Sequence, residues 1–262
     1  MFLRQSLVLS VLLSTALGSG KRGLAANDDV PISGFGGEWN GNPSQVTWQY
    51  NWDSDTKQKQ DFAEFVPMLW GPANIHTAQW RTNAQWWVSN SAQHLLGFNE
   101  PEQQGQSNLS VSQAVDAWRD WMEDFSGVAK LGAPSVSNDG YEWLSQFLQA
   151  CSGCHIDFIP IHWYNDHSIE FDLEDWVNKI CDLGDGRPVW ITEFQGFGSD
   201  DEQAAFLEKA IPFLDNNACV ERYAYFGTAD NSKVLLQNGG PSLSDLGVQY
   251  AFSPFGSGNG PA

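Results

Sequence analysis

Two glutamates in this sequence stand directly behind strongly apolar runs. One run reads Leu95-Leu96-Gly97-Phe98-Asn99-Glu100 and the other Pro188-Val189-Trp190-Ile191-Thr192-Glu193. A carboxylate at the end of a buried run loses its hydration, which is costly unless something stabilises the charge. Most of the other acidic residues lie in polar stretches, where solvation is sufficient. Two carboxyls flanking one bond are what glycoside hydrolysis requires, one protonated to release the leaving oxygen and one ionised to meet an oxocarbenium-like centre. A gap of about 5 to 5.5 Å between them predicts retention of configuration, and roughly 6.5 to 9.5 Å predicts inversion.

Flat rings suit stacking on sugars, and the chain holds 13 Trp. Trp48, Trp70, Trp163 and Tyr225 fall at or near the ends of strand-like runs, where they could form subsite walls; core packing is the competing reading for each. Asn51, Asp53 and Asp166 are polar residues beyond such runs, placed either to bind hydroxyls or to serve as ordinary loop residues. Alternation from an inward Glu193 sends Trp190 to the outer face of its strand. His162 and His167 do not make a metal pair at their spacing, and the chemistry needs no ion, so neither metal nor cofactor is expected.

Eight short runs rich in β-branched and aromatic residues could position these groups. They are 21–27, 46–52, 65–71, 95–101, 130–134, 156–164, 189–194 and 223–227. Helix-type segments are predicted between them at 55–64, 82–89, 112–125, 142–150, 172–182, 200–216 and 243–250. Strand-helix alternation predicts a parallel sheet, and eight units match the α/β fold of a single-domain (β/α)8 TIM barrel. The stretch 30–45, rich in Gly, Asn and Pro, reads as loop, and a doubly wound sheet is the alternative. In the barrel, reactive groups sit at the C-terminal ends of strands, where both glutamates fall.

A formal net charge of -19 repels a phosphate backbone and excludes nucleic acid as a partner. Residues 1–18 read as a signal peptide, with Arg4 before an apolar run and small residues at 16–18, leaving 19–262 as the catalytic domain. No later stretch reads as a membrane span and the tail is polar. The expectation is a secreted monomer, extracellular or held in a cell wall. Lys21-Arg22 reads as the opening of the first strand rather than a processing site. Cys151, Cys154, Cys181 and Cys219 predict two disulfides with three connectivities open, against a less fitting zinc site. Asn108-Leu109-Ser110 is a glycosylation sequon.

Six blocks in order resemble fungal members of glycoside hydrolase family 128, in clan A. They are Lys21-Arg22-Gly23-Leu24-Ala25, Phe65-Val66-Pro67-Met68-Leu69-Trp70-Gly71, Leu96-Gly97-Phe98-Asn99-Glu100-Pro101, Ile161-His162-Trp163-Tyr164, Trp190-Ile191-Thr192-Glu193-Phe194 and Glu221-Arg222-Tyr223-Ala224-Tyr225-Phe226. The resemblance implies a retaining endo-β-1,3-glucanase acting on glucan polymer or oligosaccharide. Glu100 would be its general acid/base, Glu193 its nucleophile, and Asn99 the partner of the sugar 2-hydroxyl. Either His162 or Tyr164 would hydrogen-bond the nucleophile. Ala26 stands where the fungal pattern commonly has an aromatic, so one sugar contact is expected to be missing. A non-catalytic glucan-binding wall protein and a transglycosylase on the same barrel are the alternatives.

Overall fold

The computed structural model describes residues 20–253. The expected signal peptide at 1–18 and the polar tail at 256–262 lie outside the described residues. Eight strands form where the apolar and β-branched runs predict them: β1 (Arg22–Ala26), β2 (Val46–Tyr50), β3 (Glu64–Phe65), β4 (His94–Leu96), β5 (Lys130–Gly132), β6 (Ile159–Asp166), β7 (Val189–Phe197) and β8 (Val220–Thr228).

Six of them make one parallel sheet in the order β3-β2-β1-β8-β7-β6, and β4 pairs with β5 in parallel. Single parallel bridges, Met68 to Leu96 on one side and Gly132 to Phe158 and Val136 to Ile161 on the other, lie between the two sets. The strands therefore follow one another in chain order, consistent with a (β/α)8 barrel in which two seams are held by isolated bridges. β4 lies close against its neighbours: a Cβ at Gly97 would meet the Trp118 ring at 2.8 Å and the Gly132 carbonyl at 2.9 Å.

Side chains alternate between the barrel interior and the helix layer. Ala25, Trp48, Tyr50, Met68, Leu96, Phe158, Trp190 and Ala224 share the interior cluster, whereas Leu24, Trp163, Ile191, Phe194, Tyr223 and Tyr225 pack with helix residues. One expectation fails here: Trp190 faces inward. Ile161 pairs with Ile191 but His162 with Glu193, so β7 carries an extra residue at Thr192. That bulge resets the alternation and puts Trp190 and Glu193 on the same side.

Helices α1 (Asn74–Thr77), α2 (Trp80–Asn90), α3 (Val111–Trp121), α4 (Tyr141–Ala150), α5 (Glu170–Leu183), α6 (Asp200–Asn216) and α7 (Asp245–Phe252) lie between and after the later strands. α3 and α6 begin with reciprocal capping boxes, Ser110 with Gln113 and Ser199 with Glu202, which satisfy backbone N–H groups left open at a helix start. The helix expected at 55–64 does not form. Its side chains bond elsewhere: Thr56 Oγ1 donates to Asp28, and the Gln58 amide donates to the carbonyls of Asn27 and Val30. Such bonds compete with the helical ladder. No helix among the described residues is long and apolar enough to cross a membrane.

The sulfurs pair as Cys151–Cys154 and Cys181–Cys219, which replaces the zinc alternative. Lys21 and Arg22 belong to the fold. Lys21 Nζ donates to the carbonyls of Leu214 and Asn217, and buried Arg22 donates to Tyr223, Asp215 and the carbonyls of Tyr250 and Ser253. At the strand beginnings, Glu64 accepts from Arg222 at 2.7 Å and meets His94 at 3.0 Å, while the Arg222 guanidinium lies 4.4 Å from the centre of the Trp190 ring.

Candidate active site

Glu100 follows β4 in a left-handed conformation, φ 39°, and its N–H donates to the Ser135 carbonyl beyond β5 at 2.7 Å. That conformation is uncommon for a residue with a side chain, and it is held by the turn that ends the strand. Glu193 projects from the bulged part of β7 and is buried, whereas Glu100 is partly exposed. One oxygen of each carboxyl and a ring nitrogen of His162 all lie within 4.8 Å of one another. The two glutamates, from opposite sides of the barrel, thus meet at its mouth.

Their surroundings differ. Glu193 Oε2 accepts from the Tyr164 hydroxyl at 2.5 Å, and Oε1 accepts from the Trp52 indole at 2.7 Å and the Tyr50 hydroxyl at 3.2 Å. These groups fix the orientation of the carboxyl, and the Tyr50 hydroxyl faces the Thr192 carbonyl at the same 3.2 Å. Burial and the adjacent Glu193 charge hold the Tyr50 and Tyr164 hydroxyls protonated, far above their ordinary range. Glu100 Oε1 faces His162 Nδ1 at 2.8 Å. Burial alone would lower the His162 imidazole, but the Glu193 charge, then the bond to Glu100, raise it above its ordinary value. Glu100, His162 and Glu193 are also the trio that could hold a metal ion, although both imidazole nitrogens already face carboxylates.

The expected choice between His162 and Tyr164 resolves in favour of Tyr164 as the residue that hydrogen-bonds Glu193, while His162 also points inward but meets Glu100. They are two residues apart, so they share a face of β6, and the intervening Trp163 points the other way. Trp163 is buried against Phe206 with its indole N–H on Asp172, so it does not reach the mouth. Tyr225 is likewise buried on the helix side with its hydroxyl on Gln203; its neighbour Phe226 lines the cleft instead. Trp48 faces inward but lies too low: it covers Gly23, where a Cβ would sit 2.2 Å from the indole, and its N–H donates to the Lys21 carbonyl. Asn51 uses its amide on Asp28 and the Asp55 carbonyl, within the loop. These four placements correct the sequence expectation.

Trp70 and Asn99 do reach the site. A cavity of about 220 Å³ is lined by Trp52, Trp70, Asn99, Glu100, Glu193 and Phe226, among others. Asn99 donates to Gln106 at 3.2 Å, while its Oδ1 is buried without a partner, an acceptor left open beside the two glutamates. An adjoining cavity of about 580 Å³ extends past Tyr164 to Gln195 and half-exposed Phe197, whose ring stacks on Tyr164 at 5.8 Å. A larger groove of about 790 Å³ lies at the other end of the strands, around Asn90, Gly127 and Lys130, away from both glutamates. Trp52, Tyr50 and Phe226 were missed from sequence. The signal was present in period two: Trp48, Tyr50 and Trp52 climb one face from floor to mouth, with ring centres 5.9 and 5.1 Å apart.

The chain resembles known proteins over nearly this whole fold. A family profile described as glycosyl hydrolase catalytic core matches residues 23–250. The alkali-sensitive linkage protein 1 of Schizosaccharomyces pombe is 32% identical over 252 residues, 88% of this chain, and the match spans only 44% of that protein's length. A curdlan-specific exo-β-1,3-glucanase of glycoside hydrolase family 128, subgroup III, from Blastomyces gilchristii, solved with glucose, superposes with a TM-score of 0.79 at 36% identity, over 90% of this chain and 99% of that one. A subgroup I endo-β-1,3-glucanase from Amycolatopsis mediterranei, a mutant solved with laminarihexaose, gives 0.73 at 28% identity, over 88% and 98%. With two carboxyls converging at the mouth of such a barrel and this likeness along nearly all of the described chain, the protein belongs to the glycosyl hydrolase catalytic core family and, within it, to glycoside hydrolase family 128.

Proposed function

We propose that the protein cleaves β-1,3-glucan by a retaining double displacement, with Glu193 as nucleophile and Glu100 as general acid/base. The observation that carries this reading is the unequal hydrogen bonding of two converging carboxyls: three donors on Glu193, and a single imidazole on Glu100. A carboxyl fixed in place by several donors suits attack on the anomeric carbon, and the more exposed carboxyl, in contact with a single imidazole, suits proton delivery to the leaving oxygen. One oxygen from each carboxyl lying within 4.8 Å of the other is compatible with the shorter, retaining separation.

The substrate class comes from the solved relatives, which act on β-1,3-glucan. The cleft extends from the pair in two directions, toward Trp70 and toward Phe197, which favours attack at internal bonds. Secretion rests on the sequence of residues 1–18, and glucan of the cell wall is the corresponding substrate. The test is Glu193→Gln: turnover of laminarin should fall to background while binding of laminari-oligosaccharides persists. NMR of the first product should show the β-anomer. Near-native hydrolysis by the variant would remove the nucleophile assignment, an α-anomer the retaining step, and release of single glucose units alone the internal mode. Retention on insoluble glucan without any release of reducing sugar by the unaltered protein would favour a binding protein instead.

A further inference from the structure

Trp52, whose indole N–H bonds Glu193, sits in a stretch with neither helix nor strand to support it, residues 51–63 between β2 and β3. Its left-handed φ of 62° has to be held by its surroundings. The residue before it supplies much of the hold. Asn51 Oδ1 accepts from the Asp53 N–H at 3.1 Å, a bond that spans Trp52 as an Asx turn does. The same side chain donates from Nδ2 to Asp28 Oδ1 at 3.0 Å and to the Asp55 carbonyl at 2.8 Å. On the far side of Trp52, the Asp53 carbonyl accepts from the Met68 N–H at 3.0 Å, beyond β3. Asp28, in the turn after β1, is the hub of the arrangement. Its Oδ1 also accepts from Thr56 Oγ1 at 2.6 Å, and its Oδ2 from the Lys57 N–H at 2.9 Å. One carboxylate thus gathers three donors from residues 51–57. The Trp52 ring itself rests against Tyr50 at 5.1 Å and Phe226 at 6.0 Å, contacts that bound its plane without bonding it.

We propose, on the reading that Glu193 is the nucleophile, that Asp28 and Asn51 are positioning residues: together they clamp the backbone around Trp52 and so keep its indole N–H on Glu193 Oε1. Neither is among the residues lining the two cavities beside the glutamates, so their influence on turnover passes through the indole. With the clamp released, the Trp52 backbone relaxes toward an ordinary φ and the indole draws back. Glu193 then keeps the Tyr50 and Tyr164 hydroxyls but loses the donor that fixes Oε1 from the β2 side. The carboxyl is less well aimed at the anomeric carbon, and the cost falls on the chemical step more than on binding.

A double-mutant cycle tests this. Asn51→Ala should lower kcat on a laminari-oligosaccharide about tenfold in the otherwise unaltered protein but less than about twofold in the Trp52→Phe background, where the bond it serves is already gone. KM should change by no more than a few-fold in either. Equal losses of kcat in the two backgrounds, as a general loosening of the fold would give, overturn the proposal. Indole NMR reads the bond itself. The Trp52 Nε1–H signal, identified by its absence from Trp52→Phe, should exchange slowly with water in the unaltered protein and quickly in Asn51→Ala; unchanged exchange overturns the proposal. Exchanging the two side chains provides a rescue that does not depend on how well Asn51→Ala folds. Asn51→Asp alone sets two carboxylates against each other and should lose activity, and adding Asp28→Asn restores an amide facing a carboxylate and should recover most of the loss. No recovery in the double variant counts against the clamp. Hydrolysis surviving in Glu193→Gln would remove the nucleophile assignment on which the proposal rests, whereas an inactive Glu193→Gln with equal Asn51→Ala losses in both backgrounds removes only the clamp.

Discussion

Trp52 donates its indole N–H to Oε1 of Glu193 at 2.7 Å from a backbone φ of 62°. Glu100, on the other side of the cleft, is also left-handed at 39°. Such conformations cost residues with large side chains on the order of 1 kcal/mol or more, and they persist where the surroundings over-determine them. Here the turns ending β2 and β4 aim one side chain from each at the same small volume.

Removing a donor from Glu193 should slow the chemistry. Trp52→Phe and Tyr164→Phe each delete one hydrogen bond to a charged group, worth about 1.5 to 3 kcal/mol, which corresponds to a fall of roughly 10- to 100-fold in kcat/KM. Thermal unfolding should confirm that both variants fold. A rise in KM at constant kcat would make the two side chains substrate contacts only.

Glu100→Ala should lose activity on laminarin yet still react with an activated aryl β-glycoside, because a good leaving group needs little proton assistance. Burst kinetics with the aryl substrate would display the accumulating intermediate. Equal losses on both substrates would show that Glu100 does not act as the acid.

At the other end of the barrel, burial alone would raise the Glu64 carboxyl, but the bond to His94 and the charge of Arg222 overcome it and hold the group at about 2. Its value is depressed, so its contribution to stability is present above the ordinary 4.5 and is lost as pH falls through about 2. Denaturant titrations of the unaltered protein and Glu64→Gln should therefore diverge at neutral pH by on the order of 3 kcal/mol and converge across that acid window. Parallel curves would contradict the role of the cluster.

The two disulfides should differ in weight. Cys181–Cys219 closes a loop with a sequence separation of 38, and Cys151–Cys154 one of 3. Chain-entropy arguments give about 4 kcal/mol for the first and about 2 kcal/mol for the second. Paired Cys→Ser variants compared by chemical denaturation would check the order.

The strand-helix alternation was legible because burial on both faces leaves long apolar runs, and the two glutamates stood out for the same reason. The segment at 55–64 was misread because its polar side chains find better partners on Asp28 and Asn27 than in a helix. Trp190 was misplaced because a single bulge at Thr192 inverts a count of two, and nothing in residue type announces it. Trp163 and Tyr225 fell on the wrong face although strict alternation from His162 and Phe226 would have excluded them.

Glu100 and Glu193 were legible in the chain alone, since each closes an apolar run where a carboxylate is expensive, whereas Asn99, His162 and Tyr164 were indicated by the family resemblance. What folding added was height and direction. Trp48 and Trp52 share a face of one strand, yet only the second reaches Glu193, because position along a tilted strand decides whether a ring fills the floor or the mouth. The imidazole between the two carboxyls is likewise a tertiary fact: three strands must close on one another before His162 touches Glu100 and Glu193 at once, and no local pattern in the sequence encodes that approach.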